Sequence, residues 1–385
     1  MEELFESYQL DERLWKKGRA GIAVVAGLGW AGALACWFAW PERTYASWLV
    51  AFTFCTTIAL GGLFFVMLQH LTGAAWSVTM RRMAENIMAA IPVGALLFIP
   101  VALGIPHLYH WPEEKAAWLN PGFFLLRTGI YFGLWSMLAW KLYRNSTRQD
   151  ESGEAGYRHS SARWSAPGMV IAIVTVCLAA FDWLMSLDPH WYSTIFGVYV
   201  YSGGALAFIA ALIAVLLALR RHDVLRYSVN HEHYHDLGKW LFGLTVFWAY
   251  IAFSQYLLIW YANLPEETGW FHDRLTGSWR AVAALLVIGH FLVPFFLLMS
   301  RAAKRRLWIL GAAAGWVLVM HYVDLYWIAM PAFSKPGVSL HFADLAALAA
   351  ATGTFALAFW IRLRKRALAP VGDAQFRKAL EFTNA

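Results

Sequence analysis

Apolar residues gather in ten long runs separated by short polar gaps: 21–40, 47–70, 87–104, 123–140, 169–187, 193–219, 241–261, 279–299, 307–331 and 342–360. A bilayer hydrocarbon core about 30 Å thick is crossed by roughly 20 helical residues, so each run is long enough to span it. None alternates apolar with polar residues, as a barrel strand would. A helix also satisfies its own backbone hydrogen bonds, which hydrocarbon demands. Trp and Tyr collect near many of the run ends, where an interfacial aromatic belt would lie. The pattern predicts an all-α integral membrane protein with about ten transmembrane helices.

Charge sets the expected orientation. Of the Lys and Arg residues, 25 fall in one set of alternate gaps: the N-terminal segment, Arg81 with Arg82, the stretches 141–163, 220–239 and 301–306, and the tail from Arg362. The other set holds 5, namely Arg43, Lys115, Arg274, Arg280 and Lys335. Both termini are therefore expected in the cytoplasm. A segment 1–20, ten helices within 21–362 and a tail 363–385 would make one polytopic domain. The leader mixes Glu2, Glu3, Glu6, Asp11 and Glu12 with its bases, and nine further runs follow the first. That run reads as a retained span, not a secretory signal. The polar gap 144–167 reads as a flexible connector between two helical groups.

Composition fits lipid as the solvent, since 60% of the 385 residues are hydrophobic and only 14% charged. The formal charge of +7 sits in short clusters between apolar runs, which topology explains and nucleic-acid binding does not. Cys36, Cys55 and Cys177 lie far apart inside apolar runs, with no C-x-x-C or C-x-x-C-H spacing. No disulfide, iron–sulfur cluster or covalently attached haem is expected of this chain. The segment His231-Glu232-His233-Tyr234-His235-Asp236 sets His at alternate positions without a Cys partner, a poor match to a zinc site.

Ionisable groups within a span cost several kcal/mol unless paired or wetted, so each marks a candidate site. With odd-numbered spans running outward, Arg127, Asp182, Gln255, His321, Asp324, His341 and Asp344 all fall in the outer part of the membrane. Such similar depth suggests one shared cavity. His321 and Asp324 are i, i+3 neighbours, and His341 and Asp344 repeat that spacing on the next helix. A His beside a carboxylate suits a proton path or the oxidation of a quinol. Alternatively Arg127 pairs with Asp182 or Asp324 and only holds helices together. At the other end, His70, Glu85 and Asn86 flank Arg81 and Arg82 and suit the mouth of an inner proton half-channel. His290 stands alone near mid-membrane, where a b-type haem would need two facing His. No catalytic residue is assigned, and a proton-coupled transporter or a purely structural anchor would share these features.

Three stretches carry a family resemblance. One is Phe181-Asp182-Trp183-Leu184-Met185-Ser186-Leu187-Asp188-Pro189-His190-Trp191-Tyr192-Ser193-Thr194. Another runs from His235-Asp236-Leu237-Gly238-Lys239 through Phe247-Trp248-Ala249-Tyr250 and Ser254-Gln255-Tyr256 to Ile259-Trp260-Tyr261-Ala262-Asn263-Leu264-Pro265-Glu266-Glu267-Thr268. The third is Val323-Asp324-Leu325-Tyr326-Trp327. Nearly the whole chain resembles the ActF family, the second NrfD/PsrC-like membrane subunit of bacterial alternative complex III. That resemblance implies two four-helix bundles with flanking helices. It further implies a quinol:cytochrome c or quinol:acceptor oxidoreductase, with quinone (menaquinone or ubiquinone) as ligand and a part in proton movement. The implied partners are iron–sulfur and c-type haem subunits, a second NrfD-like subunit and a terminal oxidase, with haem and iron–sulfur clusters held there.

Overall fold

The computed structural model describes residues 8–383, and Glu2, Glu3 and Glu6 of the leader lie outside them. Among the described residues ten helices are long and apolar enough to cross a membrane: α1 (Glu12–Ala39), α2 (Pro41–Thr72), α3 (Val78–Leu103), α4 (Pro121–Ser152), α5 (Gly156–Leu187), α6 (Phe196–Arg220), α7 (His231–Ala262), α8 (Trp279–Met299), α9 (Leu307–Ala332) and α10 (Phe342–Arg362). Each predicted run falls on one of them to within a few residues. The protein is thus a multi-pass, all-helical membrane protein, with no strand among the described residues.

Several helices outrun their apolar stretches. The gap 144–167 is not a flexible connector: α4 continues to Ser152, Gly153 closes it at φ +70°, and α5 begins at Gly156. Hydropathy falls where lipid ends, but a helical ladder continues into water until a capping residue stops it. Likewise α7 starts at His231, because Asn230 Oδ1 accepts from Glu232 N and His233 N, and His233 completes a capping box. The His-rich segment is therefore the first turns of α7.

Two helices are irregular for covalent reasons. Within α3, new helical segments start at Ile91 and Ile99, each with Pro in its first turn (Pro92, Pro100), where no N–H is needed. In α8 a π-helical turn spans Leu286–Leu292. Pro294, just beyond it, has no N–H to offer the His290 carbonyl, and the widened turn relieves that fault.

Packing centres on α2, whose apolar window is 94% buried, whereas those of α7 and α8 are 28% buried. Neighbour contacts close one ring through α2, α3, α4 and α5 and another through α6, α7, α8 and α9, with α2 against α6 joining them. Helices α1 and α10 lie outside and pack along each other. Their seam is made of small residues, as lipid-embedded pairs favour. A Cβ on Gly29 would come within 2.3 Å of Ala350 N, and one on Gly353 within 2.7 Å of Ala26 Cα. Gly29→Val should therefore force the two helices apart and destabilise the chain by about 1–3 kcal/mol. Gly27→Val, facing open space, is the control. A thermal melt in detergent checks this, with only the Gly29 variant lowered.

Candidate functional site

Five helices meet around Asp324. From α6, Tyr199 donates its hydroxyl proton to Oδ1, and from α7, Trp248 Nε1 donates to Oδ2 at 3.0 Å. Among the described residues no cation pairs with Asp324, which is 2% exposed. Gaining or losing a proton there changes the net charge of the site.

His321 lies one turn earlier on α9 and reaches α2, its Nε2 standing 3.0 Å from Thr57 Oγ1. The Thr57 hydroxyl also lies 2.9 Å from the Thr53 carbonyl, and a proton donated there lets His321 Nε2 donate to Oγ1 and leaves the lone pair on Nδ1. Among the described residues that Nδ1 is buried without a hydrogen-bond partner, as are both ring nitrogens of His290. His290 is not isolated: its ring lies 4.0 Å from that of Trp248, centroid to centroid. Gly203 makes room here, since a Cβ on it would stand 3.2 Å from His321 Nδ1. Buried polar atoms with no partner are rare in folded proteins and are natural places for water or a ligand to bind.

A groove of about 570 Å³ runs between α7 and α8 against this cluster. Tyr199 and Trp248 belong to both, so the two donors that hold Asp324 also line the groove. Its walls are otherwise mostly apolar, with Gln255 the polar exception, and Ser193 Oγ donates to Gln255 Oε1 at 3.4 Å. Tyr250, Phe253 and Val287 line it at 63%, 60% and 58% exposure, so it opens on the outer surface of the helices. Nearby, Arg274 on the short helix Pro265–Leu275 is buried, and among the described residues no carboxylate pairs with it. It donates to the Trp270 and Ile328 carbonyls and lies 3.6 Å from the Trp270 ring centroid. Burial pushes its guanidinium down to about 9, against the opposing pull of Asp188, Asp273 and Tyr199.

Arg127, Asp182, His341 and Asp344 do not share this cavity. Arg127 grips Asp182 with two parallel bonds, Nε to Oδ2 at 2.8 Å and Nη2 to Oδ1 at 2.7 Å, while Tyr131 adds a third donor at 2.8 Å. Its remaining Nη1 donates to the Trp118 carbonyl, and the guanidinium lies between the rings of Trp118 and Phe123. On the far side, Asp344 accepts from Arg43 and Ser47, each at 2.6 Å, and from His341 N at 2.9 Å. His341 is the N-cap of α10, its Nδ1 accepting from Ala343 N at 3.1 Å. Here the i, i+3 pair is a capping box, not two groups on one helical face.

At the basic end, Glu85 accepts from Arg81 Nε at 3.2 Å and Arg82 Nε at 2.8 Å. Arg81 also reaches Asp373 and Arg82 reaches Asp150, both at 2.7 Å. Glu85 is thus occupied by two guanidinium groups, while His70 Nε2 beside them is buried with no hydrogen-bond partner among the described residues. No group of three or more His, Cys, Asp or Glu placed to hold a metal occurs among the described residues. No protein-family model matches the chain, and no curated protein matches it.

Proposed function

We propose that this chain is a membrane subunit of a quinol-oxidising respiratory assembly of the alternative complex III type, lining a quinone-facing, proton-handling cavity and anchoring redox partners. The observation that carries this reading is the buried, cation-free Asp324 held by two side chains that also line a groove on the helices' outer surface. Such a groove suits an isoprenoid tail, and Tyr199 and Gln255 supply polar contacts for a ring. The stretches that resemble the ActF family contain Trp248, Gln255 and Asp324, three members of this site. The two rings of neighbouring helices with α1 and α10 outside also agree with the two four-helix bundles implied by that resemblance.

A quinol gives up two protons and two electrons on oxidation. In this proposal Tyr199 relays a proton to Asp324, and the imidazoles of His321 and His290 lie behind it to pass charge inward. Iron–sulfur and c-type haem groups of partner subunits, beside a second NrfD-like subunit and a terminal oxidase, would supply the electron acceptors, while this chain's own residues handle the protons. The location is the bacterial cytoplasmic membrane, with both termini on the cytoplasmic side.

Replacing Asp324 by Asn tests the proposal. The amide keeps the size and one acceptor but loses the titratable group, at a stability cost of about 1–3 kcal/mol. Assembly with partner subunits should survive, while quinol-driven turnover falls by roughly 10²- to 10⁴-fold. Tyr199→Phe should act in the same direction. Wild-type turnover in a normally assembled Asp324→Asn complex rejects the proposal and leaves an anchoring role.

A further inference from the structure

Where α4 and α5 emerge at the Lys- and Arg-rich end of the bundle, they enclose a second cavity of about 280 Å³. Lys141, Arg144 and Arg148 line it from α4, with Tyr157 and Ser160 facing them from α5 and Glu154 contributed by the turn between. The three cations are spaced i, i+3 and i+7, which sets them in one stripe. Asn145 anchors the floor: it is 3% exposed and donates to Ser160 Oγ and Ser161 Oγ, each at 3.2 Å.

Positive charge is in excess in this cavity, with three cations against one carboxylate. Elsewhere at this end buried cations meet carboxylates: Arg82 reaches Asp150 on the same α4, and Arg81 reaches Asp373. Among the described residues no ion pair joins Lys141, Arg144 or Arg148 to an acid, and Glu154 is the one carboxylate in the lining. Lys141 and Arg144 instead lie over aromatic faces, 5.6 Å from the Trp164 centroid and 4.9 Å from that of Trp140. Both indoles are exposed on the outer surface, where side chains of this kind mark the headgroup level of a bilayer. Three cations and two hydroxyl groups thus line the cavity beside two exposed indoles, an arrangement that suits the level of lipid phosphates.

We propose that this cavity binds the phosphodiester headgroup of an anionic phospholipid. The cations would neutralise the phosphate, Tyr157 and Ser160 would offer hydroxyls, and the acyl chains would run down the apolar outer faces of α4 and α5. This site is independent of the quinone reading, since it lies at the opposite end of the helices from the Asp324 groove and shares no residue with it.

The full chain, delipidated in detergent and titrated with phosphatidylglycerol, phosphatidylcholine or inorganic phosphate under native mass spectrometry, provides the test. Phosphatidylglycerol should be retained in preference to phosphatidylcholine. Affinity should fall about fivefold for each cation removed, and roughly a hundredfold in Lys141→Gln/Arg144→Gln/Arg148→Gln. The triple variant should melt with the wild type, because none of the three side chains holds an ion pair. Should it fail to fold, Arg148→Gln alone, at an exposed position, must still show the fivefold loss. Equal retention of the two lipids, unchanged retention in the variants, or displacement of the lipid by inorganic phosphate overturns the proposal.

Discussion

Asp182→Asn should sharply reduce the yield of folded protein in the membrane. Arg127 is committed to this one carboxylate by two parallel bonds, and the paired side chains are only 6% and 2% exposed. The amide offers one oxygen where the guanidinium needs two, and it turns a hydrogen-bond donor toward another donor. Breaking a buried pair by removing one charge costs roughly 3–5 kcal/mol, a large part of the 5–15 kcal/mol that separates folded from unfolded in a typical protein. Arg127→Gln combined with Asp182→Asn should recover part of the loss, because two neutral amides can bond to each other. The measurement is membrane yield and detergent melting for both single variants and the double. A stable Asp182→Asn chain with lost proton release would reverse the assignment, making Asp182 a proton carrier and the Arg127 contact incidental.

That outcome bears on how much of the site was legible in the sequence. The ten spans were readable because lipid imposes a length and a composition on any segment that crosses it. The same constraint gave each polar residue an expected depth, from which one shared cavity was inferred. Depth does not give azimuth, however, and a helix can point a residue toward any neighbour. Arg127 and Asp182 face each other between α4 and α5, Asp344 faces Arg43 on α2, and His321 and Asp324 turn toward the centre, with Gln255 in the groove beside them. The single cavity expected from depth is thus several separate constellations. Tyr199, Trp248 and Thr57 could not be picked out, because a chain with 22 Trp and 16 Tyr gives no single aromatic a distinguishing pattern. Trp248 carried a signal only through the Phe247-Trp248-Ala249-Tyr250 stretch of the family resemblance. His290 was visible as an isolated buried His, but its neighbour on α7 was not.

Glu85→Gln should loosen the basic end of the protein and free the C-terminal segment. Glu85 lies between two guanidinium groups, and the three side chains are 0–3% exposed. The arginines extend the contact outward, Arg81 to Asp373 in the tail and Arg82 to Asp150 and Ser146 on α4. Further bonds hold the tail in place: Leu368 N to the Tyr8 carbonyl at 2.7 Å, Gly372 N to Asp150 Oδ1 at 3.0 Å, and Asn230 Nδ2 to the Phe382 carbonyl at 3.1 Å. Removing the central charge leaves two buried cations sharing too few acceptors, at a cost of roughly 3–5 kcal/mol. Hydrogen exchange over residues 368–380 should then speed up at neutral pH, and the melting temperature should fall. Acid offers a second route to the same release. Burial pushes the Asp373 carboxyl up, but the Arg81 guanidinium outweighs it and holds the group below its ordinary range. A depressed carboxylate contributes stability above its unfolded value of about 3.9 and loses it as pH falls through the lower folded value. Wild-type tail exchange should therefore stay slow from neutral pH down to about pH 4 and rise only below it, whereas Asp373→Asn should exchange quickly throughout. Unaltered protection of the tail in both Glu85→Gln and Asp373→Asn would show that the backbone bonds alone hold it, and that the buried charges serve α3 and α4 instead.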